Sequence, residues 1–437
     1  MIVSILIALF YFKTPTKWQT VWKYTVAILI LKILHEILEI PIDIYNFSSK
    51  SALISSVAFE LIDALLSVTF FMFLMLMMLA AFEKLYRKLF PDHISFKNLF
   101  NPYGFTSKLF FNNYLAGIVC SLCAISLTSI FYFLVHRSGN YISYEFLDFN
   151  DMLTSIPLLY NITGEIVATV KYVLPYGVVA LIVYLFSNSK SISIITTSIL
   201  FSIQPVIDSD PIFISCIYLS LIGLIMGTLL FRYGILSVII FHFSKSILSD
   251  AFLCFYTGDL YYVITGVILI FLLISPILCT LLYYAKYKTF TPSENLLNSY
   301  EKIEEEKTSP PIIPKLQGIN QFHKKGSFVI LIIGIACLFI PNNDELKDFW
   351  SFKINKSTAI QTAKETIEKS YNGNLKEYRI GTAFENNINW NTSMWRLGVI
   401  DVHMINQSNF AYLKENLGRS GVKRLFDKYN LTSSGWL

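Results

Sequence analysis

The chain has 437 residues, of which 54% are hydrophobic and only 15% are charged, and its mean hydropathy is +0.53. Soluble globular proteins carry about 25% charged residues, so this composition excludes an ordinary soluble protein. The net charge of +5 is spread over the loops without a basic stripe, which argues against nucleic-acid binding. We expect an all-α polytopic membrane bundle of about eight to nine spans, followed by a small α+β extramembrane C-terminal domain.

Apolar segments near the length that crosses a bilayer recur along the chain. Met1–Phe12 has lysines after it rather than before it, so it is interpreted as an uncleaved first or partial span and not as a cleavable signal. Met152–Phe186 is too long for one straight span and needs a kink at Pro175 or an amphipathic entry. Ile192–Val206, Ile235–Leu248 and Phe328–Ile340 are below span length. The remaining predicted segments are Trp22–Phe47, Leu53–Phe82, Leu109–Val135, Ile212–Phe231 and Tyr261–Tyr284.

Loop charges predict the orientation of these spans. Glu83–Lys108 holds more basic than acidic residues, so the positive-inside rule places it in the cytoplasm. Alternation then puts the lysine-rich loop Lys286–Lys325 inside and the tail Asn342–Leu437 outside. We expect an integral multi-pass protein of a bacterial cell membrane with an extracytoplasmic C-terminal domain.

The chain divides into five predicted parts. Residues 1–135 are N-terminal transmembrane helices, 149–285 a membrane core, 286–325 a cytoplasmic linker, 326–341 the last transmembrane helix and 342–437 the extracytoplasmic α+β domain. In this last part, Ser357–Tyr371 predicts an amphipathic helix, and Tyr378–Phe384 and Leu397–Met404 alternate as strands do. The chain stops on a strand-like segment after a turn signal, so an incomplete domain is left open. The tail has no cysteine and therefore no disulfide framework.

Two groups of residues within apolar segments have alternative interpretations. His35, Glu36 and Glu39 form HEILE, which is close to the zinc-binding pattern HExxH but needs a third ligand. Glu60 and Asp63 in the next segment share a helix face and could face that first cluster. We instead expect these groups to lie near a membrane face and to pair with Lys32 or with each other, without a metal. Likewise, the CxxC of Cys120 and Cys123 is interpreted as core packing.

A more specific pattern begins at Gly223 and Gly227, a GxxxG pair that favours close helix packing. It continues into an apolar run with His242 and Ser246 on one helix face. This stretch resembles the last motif of the CAAX protease and bacteriocin-processing (CPBP) family, the glutamic-type intramembrane proteases. In that motif a glycine-rich span and a turn lead into HxxxN or HxxxD.

Two earlier stretches fit the other motifs of that family by spacing, so the resemblance runs from Gly164 to Asp250. It rests on spacing and apolar pattern more than on identities. Phe201 and Pro205 stand at the Phe and His of FxxxH. The remaining motif is EExxxR followed by Gly. Lys171 and Tyr172 stand at its two Glu, Tyr176 at its Arg and Gly177 at its Gly.

The resemblance implies an intramembrane metalloendopeptidase in which two Glu and two His activate a water. Here Lys171 and Tyr172 are poor bases at neutral pH, and Pro205 has no side-chain donor or acceptor. His242 alone remains, and Glu165, Asp208 or Asp210 would have to supply a carboxylate. We therefore expect a degenerate member that kept the fold, with His242 on a helix facing the bundle interior and Tyr176, Phe201 and Ser246 close to it. No cofactor is expected, and zinc or another divalent metal only if the protein is active.

Three functions remain as hypotheses. The preferred one is a non-catalytic scaffold or binding protein for another membrane or cell-envelope protein or peptide, besides its contact with the lipid bilayer. The tail supports it, because Ser357–Tyr371, Gly373 and the following strand resemble PepSY-type domains, which are thought to bind or inhibit peptidases. The second is an active intramembrane endopeptidase that uses His242 with Glu165. The third is an ion-coupled transporter that uses Glu36, Glu39, Glu60 and Asp63.

Overall fold

The computed structural model describes residues 15–45, 53–101, 103–137, 141–142, 154, 156–202, 209–210, 212–256 and 260–299, with short stretches of the tail. Eight α-helices lie within the ranges up to residue 299. In chain order they are α1 (Trp18–Tyr45), α2 (Leu53–Leu89), α3 (Lys108–Arg137), α4 (Pro157–Ser187), α5 (Lys190–Ser202), α6 (Ile212–Tyr233), α7 (Ile235–Tyr256) and α8 (Leu260–Tyr287). Single 3₁₀ turns occur at Phe96–Asn98, Gly104–Thr106 and Glu294–Leu296.

Six of these helices are long and apolar enough to cross a bilayer, as expected of an integral multi-pass membrane protein. They are α2, α3, α4, α6, α7 and α8. The helix α1 carries charged side chains from Lys23 to Glu39, and α5 has only 13 residues. The predicted total of about eight to nine spans also depends on Met1–Phe12 and Phe328–Ile340, which lie outside the described residues, so that total stays a prediction.

Two of the predicted segments differ from the helices observed. The prediction that Ile235–Leu248 is below span length is wrong, because α7 continues to Tyr256 and has 22 residues. Ser249 is accommodated in this helix since its hydroxyl donates to the carbonyl of Lys245 at 3.1 Å. The long segment Met152–Phe186 corresponds to one helix, α4, which contains Pro175. Asn188, the residue after its last turn, has the left-handed conformation that ends the helix.

Glycines allow the helices to approach closely around α4, which contacts α1, α2, α5 and α7. A Cβ on Gly177 of α4 would lie 2.6 Å from the ring of Phe82 on α2. A Cβ on Gly223 of α6 would lie 2.8 Å from the Cα of Ser198 on α5. The close packing predicted from the GxxxG pair is therefore confirmed.

The two loops predicted to share the cytoplasmic side contact each other at one end of the bundle. The Ser95 amide donates to the Leu296 carbonyl at 2.7 Å, and the Asn298 amide donates to the His93 carbonyl at 3.0 Å. The side chain of Asn298 also donates to the carbonyl of Phe90 at 2.8 Å. Residues 90–107 and 288–299 thus form one layer across this end, which we call the loop layer.

Short antiparallel strand pairs occur in two places. Tyr141–Ile142 (β1) pairs with Ser209–Asp210 (β2), and in the tail Phe384–Asn386 (β3) pairs with Ser434–Trp436 (β4). Several residues within the predicted helix Ser357–Tyr371 are helical, and Gln361 donates to Glu365 at 3.1 Å. The predicted strand Leu397–Met404 lies outside the described residues, so the α+β class of the tail stays a prediction.

Candidate functional site

The candidate site is a row of polar side chains where α4 packs antiparallel against α7. Glu165, Thr169 and Tyr172 follow at intervals of four and three residues, so they share one face of α4. His242 and Ser246 are four residues apart on α7 and share the face that meets this row. Because most of the surrounding side chains are apolar, these groups must satisfy one another.

His242 is held by two side chains of α4. Its Nδ1 lies 3.3 Å from the hydroxyl oxygen of Thr169, within hydrogen-bond distance. The ring of Tyr172 stacks on the imidazole with centroids 5.4 Å apart and planes 23° apart. The helix α7 therefore points His242 into the bundle, toward α4, as the sequence analysis predicted.

Glu165 lies one helical turn from these contacts. Its carboxyl group lies beside the hydroxyl of Ser246 and in the field of the Lys245 ammonium. Its Oε2 atom is buried and has no hydrogen-bond partner among the described residues. A buried carboxylate oxygen left unsatisfied typically costs about 1–3 kcal/mol or more, so this atom is the main unexplained polar group of the site.

The remaining motif positions continue along α4 and onto its neighbours. The hydroxyl of Tyr176 donates to the Gly223 carbonyl of α6 at 2.6 Å, and its ring contacts Phe201 of α5 edge-on at 5.7 Å. Tyr176 is one turn beyond Tyr172, which contacts His242. Lys171 is exposed on α4. Thus α4, which carries one motif-like stretch, contacts the helices that carry the other two, and the Pro205 position lies outside the described residues.

The second predicted cluster is distributed over several environments. His35 of α1 stacks on Tyr160 of α4 at 4.4 Å, and its Nδ1 lies 3.4 Å from the hydroxyl oxygen of Thr163. Gly164 makes room for it, since a Cβ there would lie 2.8 Å from the imidazole. This histidine therefore belongs to the contact between α1 and α4.

The carboxylates of that cluster do not converge on His35 in the described part of the chain. Glu36 forms an ion pair with Lys32 on its own helix. Asp63 is exposed on α2, and the side chain of Glu60 lies outside the described residues. Glu39 is half-buried on α1 and interacts with another group of the protein. Of these groups, Glu36 has the Lys32 partner expected from the sequence.

Metal ligation has no support within the described ranges, where no group of three or more His, Cys, Asp and Glu side chains converges. The alternative carboxylates are also placed apart from the site or outside these ranges. Asp210 lies in β2 and pairs with Tyr141, and Asp208 is outside the described residues. Glu165 is accordingly the candidate carboxylate that the structure brings to the α4–α7 contact.

Sequence reasoning missed Thr169, the residue that holds the imidazole of His242. A signal was present, because Glu165, Thr169, Tyr172 and Tyr176 repeat at helical spacing through an apolar segment. A single threonine in an apolar helix usually bonds its own backbone, so Thr169 by itself did not indicate a site.

Comparisons of the whole chain with family models, with curated proteins and with solved structures found no match.

Proposed function

We propose that this protein is a non-catalytic membrane protein of the CPBP type, which retains the helix arrangement and has lost peptide hydrolysis. It serves as a scaffold or binding partner for another membrane or cell-envelope protein or peptide. The observation that carries the proposal is the environment of His242, which Thr169 and Tyr172 enclose within the α4–α7 contact.

The reasoning concerns what a catalytic imidazole needs. A general base must reach the water or substrate proton with a free nitrogen and must be assisted by groups that stabilise developing charge. Here a tyrosine ring covers one face of the imidazole at a position where the resemblance implies a glutamate. The hydroxyl of Thr169 lies within hydrogen-bond distance of Nδ1. Tyr176 stands at the position of the implied arginine, and its hydroxyl donates to a backbone carbonyl. These contacts support a structural role.

The orientation and the tail complete the proposal. The loop layer would face the cytoplasm of a bacterial cell, because basic residues outnumber acidic ones in Glu83–Lys108 and Lys286–Lys325, the predicted loops that contain its two segments. The tail would then lie outside as a small α+β recognition module, consistent with the β3–β4 pair and the helical residues between Thr358 and Thr366.

A second candidate function, intramembrane peptide hydrolysis, is favoured by one observation. The Oε2 atom of Glu165 is buried without a hydrogen-bond partner among the described residues, one turn from the level of His242. A water held between these two groups would have a carboxylate to accept its proton as it attacks a peptide carbonyl. The carboxyl group of Glu165 could then give this proton to the leaving amine, while the imidazole of His242 donates a hydrogen bond to the developing oxyanion.

One experiment separates the two candidates. The full chain, reconstituted in lipid vesicles, is incubated with a panel of membrane-embedded peptide substrates. We expect no turnover, since loss of one such catalytic group costs about a hundred- to a thousand-fold and several are replaced here. Turnover that Glu165→Ala and His242→Ala both abolish would overturn the non-catalytic proposal. Ser244→Ala is the matched control, because this buried hydroxyl of α7 has no hydrogen-bond partner in the described part of the chain.

The binding role has its own test in cells. A photo-crosslinking residue in place of Lys364, which is exposed in the predicted tail helix, should capture a discrete membrane or envelope protein or peptide. The same residue in place of Lys288, which is exposed in the loop layer, is the control and should not capture it. Identical products from both positions, or none from Lys364, would argue against the tail as a recognition module.

A further inference from the structure

A pocket of about 460 Å³ opens beside the first turns of α1, between that helix and the loop layer. Its volume is within the range of roughly 300–1,000 Å³ that is typical of small-molecule sites. Three lysines line it, Lys17, Lys23 and Lys97, together with the aromatic rings of Trp18 and Tyr24. The function proposed above does not use this pocket, so its chemistry is a separate question.

The lining of the pocket is cationic. No aspartate or glutamate is among the residues that line it. The carboxylate of Glu83 accepts from the backbone amide of Lys17 at 3.3 Å and from Nε of Arg87 at 2.8 Å. Glu83 is ion-paired with Arg87 and also lies in the field of Lys17, so the net positive charge of the pocket comes from Lys23 and Lys97.

The wall that carries Lys97 is fixed against α1. The hydroxyl of Tyr24 donates to the Phe96 carbonyl at 2.9 Å, and the two rings lie 4.8 Å apart. Phe96 itself is buried. Lys97, the next residue, is therefore held opposite Lys17 and Lys23 by packed groups of the protein, so the cations are brought together before any ligand binds.

The location of the pocket matches the headgroup level of a bilayer. It adjoins the loop layer, beyond the apolar parts of the spans. Trp18 and Trp22 are 48% and 46% exposed on α1 beside it. Exposed tryptophans are enriched where a membrane meets water, and basic pockets at such a level bind anionic headgroups.

We propose that this pocket binds a phosphate-bearing anion, supplied by the headgroup of an anionic phospholipid or by a soluble phosphate ester. The ammonium groups of Lys23 and Lys97 contact the phosphate oxygens, and Trp18 covers the apolar part that adjoins the phosphate. The site goes beyond the scaffold role, and its test does not depend on that role.

The first arm of the test uses the purified full chain in detergent with equimolar phosphatidylglycerol and phosphatidylcholine, and native mass spectrometry counts the bound lipids. We expect phosphatidylglycerol to be preferred. Lys23→Gln with Lys97→Gln should weaken its binding roughly 30-fold, about five-fold for each lysine near a membrane surface. Both side chains are exposed, so folding should not suffer, and Lys23→Arg with Lys97→Arg should retain binding as a check.

The control removes two charges from the same end of the bundle but outside the pocket. Lys108 and Lys286 are both exposed at helix ends that adjoin the loop layer. Lys108→Gln with Lys286→Gln should leave the preference for phosphatidylglycerol unchanged. An equal loss in both double variants would mean diffuse surface attraction and would overturn the proposal, as would the absence of any preference in the wild type.

The second arm identifies the source of the phosphate. Glycerol 3-phosphate and inorganic phosphate are titrated at constant ionic strength against bound phosphatidylglycerol, with chloride as the reference anion. If neither displaces the lipid more than chloride does, the site is a lipid site. If both displace it at similar concentrations and Lys23→Gln with Lys97→Gln abolishes this, the site takes soluble phosphates. Displacement that is unaffected by the pocket variant would contradict the assignment.

Discussion

At the scale of single residues, His93 lies where the loop layer, α2 and the turn between α6 and α7 meet. Its ring contacts Phe90 at 4.8 Å, and a Cβ on Gly234 would come within 2.6 Å of it. Gly234 has φ +91°, a conformation that other residues rarely adopt, so glycine is required there for two reasons. Burial, and next the charge of Lys190, lowers the pKa of His93 to about 4 from the usual 6.5.

This environment predicts a pH dependence of stability. The unfolded chain binds a proton at His93 near pH 6.5, whereas the folded protein binds it only near pH 4. The contribution of His93 to the free energy of unfolding is therefore fully present above pH 6.5 and is lost as the pH falls toward 4. The slope reaches about 1.4 kcal/mol per pH unit.

The measurement is the free energy of unfolding in detergent micelles between pH 7 and pH 4, for the wild type and for His93→Phe. The phenylalanine keeps a ring in the packed site but cannot titrate. The difference in free energy of unfolding between the two proteins should change between pH 7 and pH 4. Parallel pH profiles of this free energy would contradict the prediction. Lys190→Gln removes the nearby charge and should raise the pKa of His93 in the folded protein. The pH range in which His93 affects stability should then end at a higher pH on its acidic side.

At the scale of elements, the contact between α5 and α6 depends on the absence of a side chain at Gly223. Its carbonyl accepts from Tyr176, and the space where a Cβ would stand is filled by the backbone of Ser198. A glycine inside an exposed helix is less stable than alanine by about 1 kcal/mol, so close packing is what this glycine contributes here.

We predict that Gly223→Ala lowers the free energy of unfolding, by about 1–3 kcal/mol, because α5 and α6 must move apart. Thermal unfolding in detergent measures the change. Thr228→Ala is the control, since Thr228 is exposed on the same helix and bonds only the carbonyl of Leu224 among the described residues. If Gly223→Ala stabilises the protein, as helix propensity alone predicts, the close contact of α5 with α6 is refuted.

At the scale of the whole molecule, the loop layer joins residues 90–107 to residues 288–299 at one end of the bundle. Hydrogen bonds at 2.7 Å and 3.0 Å connect the two segments, so both must lie on the same side of the membrane. Basic residues outnumber acidic ones in Glu83–Lys108 and Lys286–Lys325, the loops that contain this layer, so the positive-inside rule predicts that it faces the cytoplasm.

We predict that a cysteine placed at Ser299 is protected from a membrane-impermeant thiol reagent in intact cells, whereas one at Asn386 in β3 is labelled. The six native cysteines are first replaced by alanine or serine. Permeabilised cells provide the control, because both sites should then react if they are accessible. Labelling of Ser299 with protection of Asn386 would reverse the orientation.

The sequence by itself determined the membrane class and the approximate bounds of most helices. Helix formation in a bilayer depends on a local property, a run of apolar residues of about span length, and this can be read directly along the chain. The GxxxG pair and the inward direction of His242 were also predictable, because glycine spacing and the cost of a lipid-facing imidazole are local arguments. The end of α7 was not, because Ser249 and Asp250 interrupt the apolar run, whereas in the helix the hydroxyl of Ser249 bonds the carbonyl of Lys245.

Only the tertiary structure decided which groups meet inside the bundle. Helical period places Glu165, Thr169 and Tyr172 on one face of α4, but it does not say which helix that face contacts. The packing brings this face to α7, so that Thr169 and Tyr172 enclose His242, and it brings His35 to α4 rather than to Asp63. The cationic pocket is likewise formed by lysines distant in sequence, because contacts across the fold join α1 to the loop that carries Lys97.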